Sequence, residues 1–190
     1  FVEPHQIGAE EIRIEGADVN HIRNVLRMKP GEEILISSRE GGDYFCRVEE
    51  LEPEYVSAKI LEEWENKELP ARIHLFQGLP KGDKMELIIQ KAVELGAYRV
   101  VPVSMKRSVV KLDAKKADAK RKRWNAVSES AAKQSKRSLI PEVAPLMTYK
   151  EAVKEAAGYD MVLLPYESAD GIRKTRELLA SVKPGTDIAV

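Results

Sequence analysis

Between Lys106 and Arg137 the sequence sets 12 lysines and arginines against 3 acidic residues. Cations at that density have an evident chemical use. Each one set against a phosphate releases condensed counterions, which gives affinity for a polyanion without base selectivity. At about 100° per residue, Trp124, Val127, Ala131 and Ala117 fall on one side of a helix and Lys115, Lys122, Lys133 and Arg137 on the other. A helix over roughly 114–136 is therefore expected, with a packed face and a cationic stripe. Lys120 and Arg121 flank the apolar face and can lay their stems along it. A merely solvated helix would interleave glutamate for i,i+4 support, and the scarcity of acidic residues points instead to phosphate.

Other constellations exclude more than they assign. His5, His21 and His74 have no spacing that makes a metal site or a catalytic triad, and no metal is expected. His74 lies inside an apolar run and reads as a satisfied core histidine. His21 stands beside Arg23 and Arg27, where an RNA contact and an ordinary half-exposed helix residue are both open readings. Leu79-Pro80-Lys81-Gly82-Asp83-Lys84 joins a strand to a helix but lacks the spaced glycines of a phosphate loop. Cys46 is the sole cysteine, so no internal disulfide and no multi-cysteine metal centre can form. Leu164-Pro165-Tyr166-Glu167 closes a strand where open α/β sheets meet their ligands, and Pro165 stops further pairing.

The elements that must position these residues fall into two grammars. In residues 1–68, four short alternating runs begin near Glu11, Glu33, Tyr44 and Tyr55, and they read as strands. One helix interrupts them, capped by Asp18, with Val19, Ile22 and Leu26 on its buried face and Pro30-Gly31 at its end. A small β-barrel with one helix accommodates that order. Residues 62–71 read as a linker. From residue 72 the pattern is apolar strand, then helix. Strands are expected near 73–79, 99–104, 161–165 and 187–190, with helices between them. Asp83 and Glu86 have capping-box-like spacing at the first of these, and Gly96 sits at its C-cap. This order implies an α/β unit with a mostly parallel sheet covered on both faces.

Charge divides at the same place. Residues 1–70 hold 8 cationic and 17 acidic side chains, residues 71–150 hold 18 and 7, and residues 151–190 hold 5 and 7. A formal net charge of zero conceals this segregation, which fits a domain boundary and a polyanionic partner. No apolar run approaches the ~18 residues of a membrane span, so no membrane role is expected. The single cysteine and the lack of a secretory signal favour the cytoplasm. The last strand ends at Val190, where a ligand loop should follow, and the sequence is read as a fragment.

Several stretches together resemble the RsmE family of 16S ribosomal RNA uridine N3-methyltransferases, of the SPOUT class. They are Lys81-Gly82-Asp83-Lys84-Met85-Glu86 through Gln90-Lys91-Ala92-Val93-Glu94-Leu95-Gly96; Lys106-Arg107-Ser108-Val109-Val110-Lys111; Arg123-Trp124; and Ala131-Ala132-Lys133-Gln134-Ser135-Lys136-Arg137. His21-Ile22-Arg23-Asn24-Val25-Leu26-Arg27 with Lys29-Pro30-Gly31 resembles that family's PUA-like RNA-binding domain. The resemblance implies a PUA-like barrel over 1–68 and a SPOUT methyltransferase domain over 72–190. The family's Gly-Pro-Glu-Gly-Gly loop, its trefoil knot and most of its cofactor pocket would follow Val190. It implies S-adenosylmethionine as cofactor, with Leu164, Pro165, Tyr166 and Glu167 as one wall, and Glu167 as a loop carboxylate stays an open reading. It implies 16S ribosomal RNA in the small subunit as partner and, by likeness to the class, a homodimer. Arg107, Lys111, Arg123, Gln134 and Arg137 join Lys115, Lys122, Lys133, His21, Arg23 and Arg27 as RNA-contact candidates. No residue is assigned as the catalytic base. A non-enzymatic RNA-binding protein and a SPOUT ribose 2′-O-methyltransferase are the competing readings.

Overall fold

A computed structural model describes residues 1–38, 42–65, 68–106, 110, 112–165 and 173–190. The chain divides into two compact units, Phe1–Lys67 and Glu68–Val190.

The first unit is built on four antiparallel strands, β1 (Glu11–Glu15), β2 (Glu33–Ser37), β3 (Asp43–Leu51) and β4 (Tyr55–Trp64), in the order β1-β4-β3-β2. In β1 Ile12 and Ile14 are buried and Glu11, Arg13 and Glu15 exposed, as strict alternation requires when one face meets a core. Residues 2–7 span the two open edges. Val2 bridges Ser38 beside β2, and Ile7 bridges Ile12 beside β1, which closes the sheet into a barrel. Val19, Ile22, Ile36, Cys46, Val48, Val56 and Ala58 fill the interior. Burial pushes the Cys46 thiol up to about 11. β4 runs through Trp64, so the expected linker is part strand.

The helix of this unit departs from expectation in two ways. Gly16 is its N-cap, and Asp18 lies within the first turn of α1 (Ala17–Asn20). The next residues, His21–Val25, form a π-helical turn in which the Leu26 amide donates to the His21 carbonyl at 2.9 Å. The wider turn breaks the i,i+4 spacing on which the placement of Leu26 rested. Ile22 stays buried, Leu26 is turned out to solvent, and Met28 packs against the core.

The second unit holds a parallel sheet. β5 (Arg72–Gly78), β6 (Arg99–Ser104), β9 (Met161–Val162) and β10 (Asp187–Ala189) lie near the expected positions, and all their pairings are parallel. Two short strands escaped the reading, β7 (Glu142–Val143) and β8 (Met147–Thr148), both beside β6. The order is β7-β6-β5-β10-β9, so the last strand in sequence lies inside the sheet. Val100 through Val103 of β6 are buried at four successive positions, which requires cover on both faces. Val101 and Val103 pack with Ala152 of α4 (Tyr149–Ala156). Elsewhere α2 (Lys84–Glu94) packs on α3 (Ala114–Gln134). A fifth helix, α5 (Arg173–Ala180), precedes β10.

Caps explain the helix ends. The Asp113 carboxylate accepts from the Lys116 amide at 2.8 Å, and Thr148 with Glu151 forms a complete capping box on α4. Asp83 stands at the N-cap of α2 without a side-chain cap bond, and Glu86 reaches Arg123 instead of closing a box. Gly96 follows α2 at φ +99°, where a Cβ would come within 2.7 Å of Leu69 Cδ1. Among the described residues no helix is long and apolar enough to cross a membrane.

Candidate cofactor and RNA sites

The C-terminal halves of β5, β6, β9 and β10 converge on one cavity of about 380 Å³. Its floor is Phe76, Gly78 and Val103, and Ala152, Val153 and Ala156 of α4 form one side. Leu163 and Leu164 follow β9 and form the other, with Ala189 and Val190 between. Parallel strands bring their C-terminal ends together on one edge, which is why residues so far apart in sequence meet here. The lining is apolar apart from Tyr149, whose phenol is the one ionisable side chain among its described residues. Gly78 keeps the floor open, since a Cβ there would come within 3.2 Å of Met105 Cγ.

Of the residues expected to form a cofactor wall, Leu164 lines this cavity and is 88% exposed, and Pro165 follows it, also exposed. Tyr166 and Glu167 lie outside the described residues, as do Arg107 and Lys111. An apolar recess with one glycine in its floor fits a flat heterocycle such as adenine. Among the described residues its lining offers no charged side chain to an amino-acid group.

The inward face of α3 is Trp124, Ser128, Ala131 and Ala132, all buried. Asn125 ties the helix to β7. Its amide donates to the Val143 carbonyl at 3.1 Å, and its carbonyl oxygen accepts from the Val143 amide at 3.0 Å. Lys115, Lys122, Arg123, Lys133 and Gln134 are exposed, and Lys120 edges the small recess beside Trp124.

The expected shortage of acidic partners does not hold in three dimensions. Lys122 pairs with Asp118 at 3.2 Å and Lys133 with Glu129 at 3.2 Å. Arg121 pairs with Glu142, and Arg123 meets Glu86 of α2 at 2.7 Å. The Glu86 carboxylate holds the Arg123 guanidinium above its ordinary pKa. Most of these pairs are solvated, and each contributes only about 0–1 kcal/mol, so they do not lock the lysines away from phosphate.

Arg137 corrects the stripe outright. It is buried, with its side chain 7% exposed. It lies beyond the end of α3, after Lys136 at φ +54°, and helical spacing no longer governs where it points. Its Nη1 donates to the Val93 and Ala97 carbonyls at 3.1 and 2.6 Å, and its Nε and Nη2 meet the Glu68 carboxylate. Arg137 is a structural clasp and not a solvent-facing RNA contact.

His74 is half satisfied. Its Nε2 lies 2.9 Å from Asp187 Oδ1 and its ring stacks on Tyr159 at 4.4 Å, while its Nδ1 is buried without a partner among the described residues. Arg72 also meets Asp187 at 2.5 Å, and this hydrogen bond is the main cause that holds the carboxyl down at about 2. The cluster sits at the start of β5 and β10, at the opposite end of these strands from the cavity. In the first unit His21 and Arg27 are exposed and Arg23 is half-buried. Among the described residues no cluster of side chains able to hold a metal is found.

Comparison with known proteins follows the same division. A family profile described as an RNA methyltransferase domain matches residues 67–190, and one described as an RNA methyltransferase PUA domain matches 14–61. Ribosomal RNA small subunit methyltransferase E of Bacillus subtilis is 40% identical over 163 residues, covering 85% of this chain and 63% of that protein. The protein of the same name from Mycobacterium bovis is 30% identical, covering 84% and 63%. This chain thus spans less than two thirds of the length of either relative. The crystal structure of a ribosomal RNA small subunit methyltransferase E from Neisseria gonorrhoeae bound to S-adenosyl methionine is 27% identical. It superposes with a TM-score of 0.74, covering all of this chain and 78% of that one. A putative methyltransferase from Legionella pneumophila in complex with the same cofactor is also 27% identical, with a TM-score of 0.72, covering 95% and 72%. With a PUA-like barrel ahead of a parallel α/β unit of the SPOUT type, and with both halves matched, this chain belongs to the RNA methyltransferase family.

Proposed function

We propose that the protein transfers a methyl group from S-adenosylmethionine to N3 of a uridine in 16S ribosomal RNA of the small ribosomal subunit. The observation that carries this reading is the apolar cavity at the C-terminal ends of the parallel strands, edged by Leu164. Relatives named as small-subunit ribosomal RNA methyltransferases, and a similar structure holding the cofactor, support it.

When bound, S-adenosylmethionine supplies an electrophilic methyl group on a sulfonium centre. Leu163, Leu164, Met105 and Ala189 would receive its adenine, and Gly78 would leave the room. An adenine seated against these walls would displace water from them, which strengthens the electrostatics of whatever polar groups complete the site. Uridine N3 carries a proton that must leave, and the described lining holds no carboxylate or amine to take it. The RNA is held by phosphate contacts from Lys115, Lys122 and Lys133 on α3, with Gln134 and Arg123 beside them. His21, Arg23 and Arg27 add contacts from the barrel. The enzyme works as a homodimer in the cytoplasm. Support for the dimer comes from the class it resembles.

Radiolabelled methyl transfer to purified small subunits, followed by nucleoside analysis, tests the reading. Label in 3-methyluridine is expected. Label in a 2′-O-methylated nucleoside, or none with an intact full-length protein, overturns it. Sedimentation of the same preparation checks the dimer.

A further inference from the structure

The π-helical turn of the barrel does more than expel Leu26 from the core. It exposes Val25 and Leu26 side by side, at 62% and 54% of their full surface. An adjacent apolar pair held out in water forgoes a burial that a regular helix would have given Leu26. The setting of the pair is unusual for its unit. Residues 1–70 carry 17 acidic side chains, yet none lies between Asp18 and Glu32. That interval holds His21, Arg23, Arg27 and Lys29. Among the described residues none of these four makes an ion pair, whereas Lys122, Arg123 and Lys133 on α3 all do. Arg27 takes a left-handed backbone at φ +54°, which is costly for a long side chain and sets it beside the apolar pair.

We infer that Val25 and Leu26 are a contact for unpaired RNA bases, flanked by cations that hold the phosphates of the same strand. The inference rests on the RNA-modifying reading above, and it narrows the substrate to single-stranded or looped RNA at this surface. The chemistry favours that class. A base in a duplex hides its faces in the stack, and an A-form helix offers little apolar surface to an aliphatic side chain. A splayed base presents a flat apolar face to a valine and leucine pair while its phosphates meet Arg23, Arg27 and Lys29. The four cations beside the pair favour a polyanion over an apolar protein face, and the match of residues 14–61 to an RNA methyltransferase PUA domain favours RNA over an anionic membrane.

The two halves of the contact leave different signatures, and the full-length protein can report both. The probe is a fluorescent ribosomal RNA hairpin with an unpaired loop, with a fully paired duplex of equal length as control. The double variant Val25→Ser, Leu26→Ser removes only exposed side chains and should melt like the wild type. It should bind the hairpin about tenfold more weakly, the loss expected for two small apolar contacts, with an unchanged slope of log K against log salt. Its duplex binding should not move. Arg23→Ala, Arg27→Ala should instead flatten the slope by about 0.7 per charge removed. Wild-type binding of the hairpin with no loss in the serine variant overturns the inference and leaves the methyltransferase reading intact. So does a serine variant altered only in its sedimentation, since the pair would then be a protein interface. A wild type that binds neither RNA overturns the reading on which the inference rests.

Discussion

The Arg137 guanidinium and the Glu68 carboxylate form a buried ion pair between the last residue of the basic run and the first residue of the second unit. The pair is only 7% and 13% exposed at its two side chains. Each partner is otherwise engaged. Arg137 also holds two carbonyls around the C-terminus of α2, where a positive charge meets the negative end of the helix. Glu68 also accepts from the Ser138 and Leu139 amides at 2.8 and 3.2 Å.

Removing one partner strands the other. Arg137→Ala should lower the stability of the second unit by about 3–5 kcal/mol, the cost of leaving a buried charge uncompensated. Arg137→Lys should recover little, because an ammonium cannot span the carboxylate and two carbonyls together. Urea unfolding monitored at Trp124 measures both. A loss below about 1 kcal/mol for Arg137→Ala would show the clasp to be ornamental.

Asp187 makes the second unit acid-sensitive in a defined window. Its carboxyl is held at about 2, chiefly by the Arg72 hydrogen bond and further by His74. A depressed carboxyl contributes stability that is fully present above its unfolded pKa of about 3.9, and that is lost as pH falls through the folded value. Between about pH 4 and pH 2 the wild type should lose stability faster than Asp187→Asn. The variant should start lower at pH 7 and show the flatter profile. Parallel profiles across that range would mean that Arg72 and His74 do not stabilise the charged form.

For the RNA face of α3 the informative variant leaves Arg137 alone. Lys115→Ala, Lys122→Ala, Lys133→Ala should unfold within about 1 kcal/mol of the wild type, since the Lys122–Asp118 and Lys133–Glu129 pairs are solvated. Its affinity for ribosomal RNA should fall at low salt, and the slope of log K against log salt should flatten by about 2 in total. Affinity for S-adenosylmethionine should not change. An unaltered slope would reduce the stripe to a solvated surface.

The cavity has its own test. Leu164 is 88% exposed, so Leu164→Ala should leave the unfolding midpoint unchanged and weaken S-adenosylmethionine about fivefold in the full-length protein. Gly78→Val places a branched side chain against Met105 in the floor and should abolish binding while suiting the strand. Calorimetry reads both. Undiminished binding by Gly78→Val would move the cofactor elsewhere.

What the sequence alone determined was whatever depends on near neighbours. Alternation at Ile12 and Ile14 marked a one-sided strand, and the apolar runs at Ile73–Leu79 and Val100–Val103 marked two more strands, but it is the second of these that is buried at four successive positions, while most of the first is half-buried. The charge break falls near residue 70 and the two compact units meet at Lys67–Glu68, while Leu164, just after a strand, lines the cavity. Tertiary structure decided everything that needed a distant partner. Arg137 read as one more surface cation because its charge is local information, while Glu68, 69 residues away, is not. His74 met Asp187 across 113 residues only because β10 enters the sheet beside β5 instead of at an edge. Even Leu26 escaped a periodic reading. One π-helical turn changes the angular step, and the barrel core had already found Met28 to fill the place. Periodicity records which face a side chain takes along a regular element. Where the chain turns irregular, or a charge finds its counterpart across the fold, packing and desolvation choose the position, and those are properties of the assembled molecule.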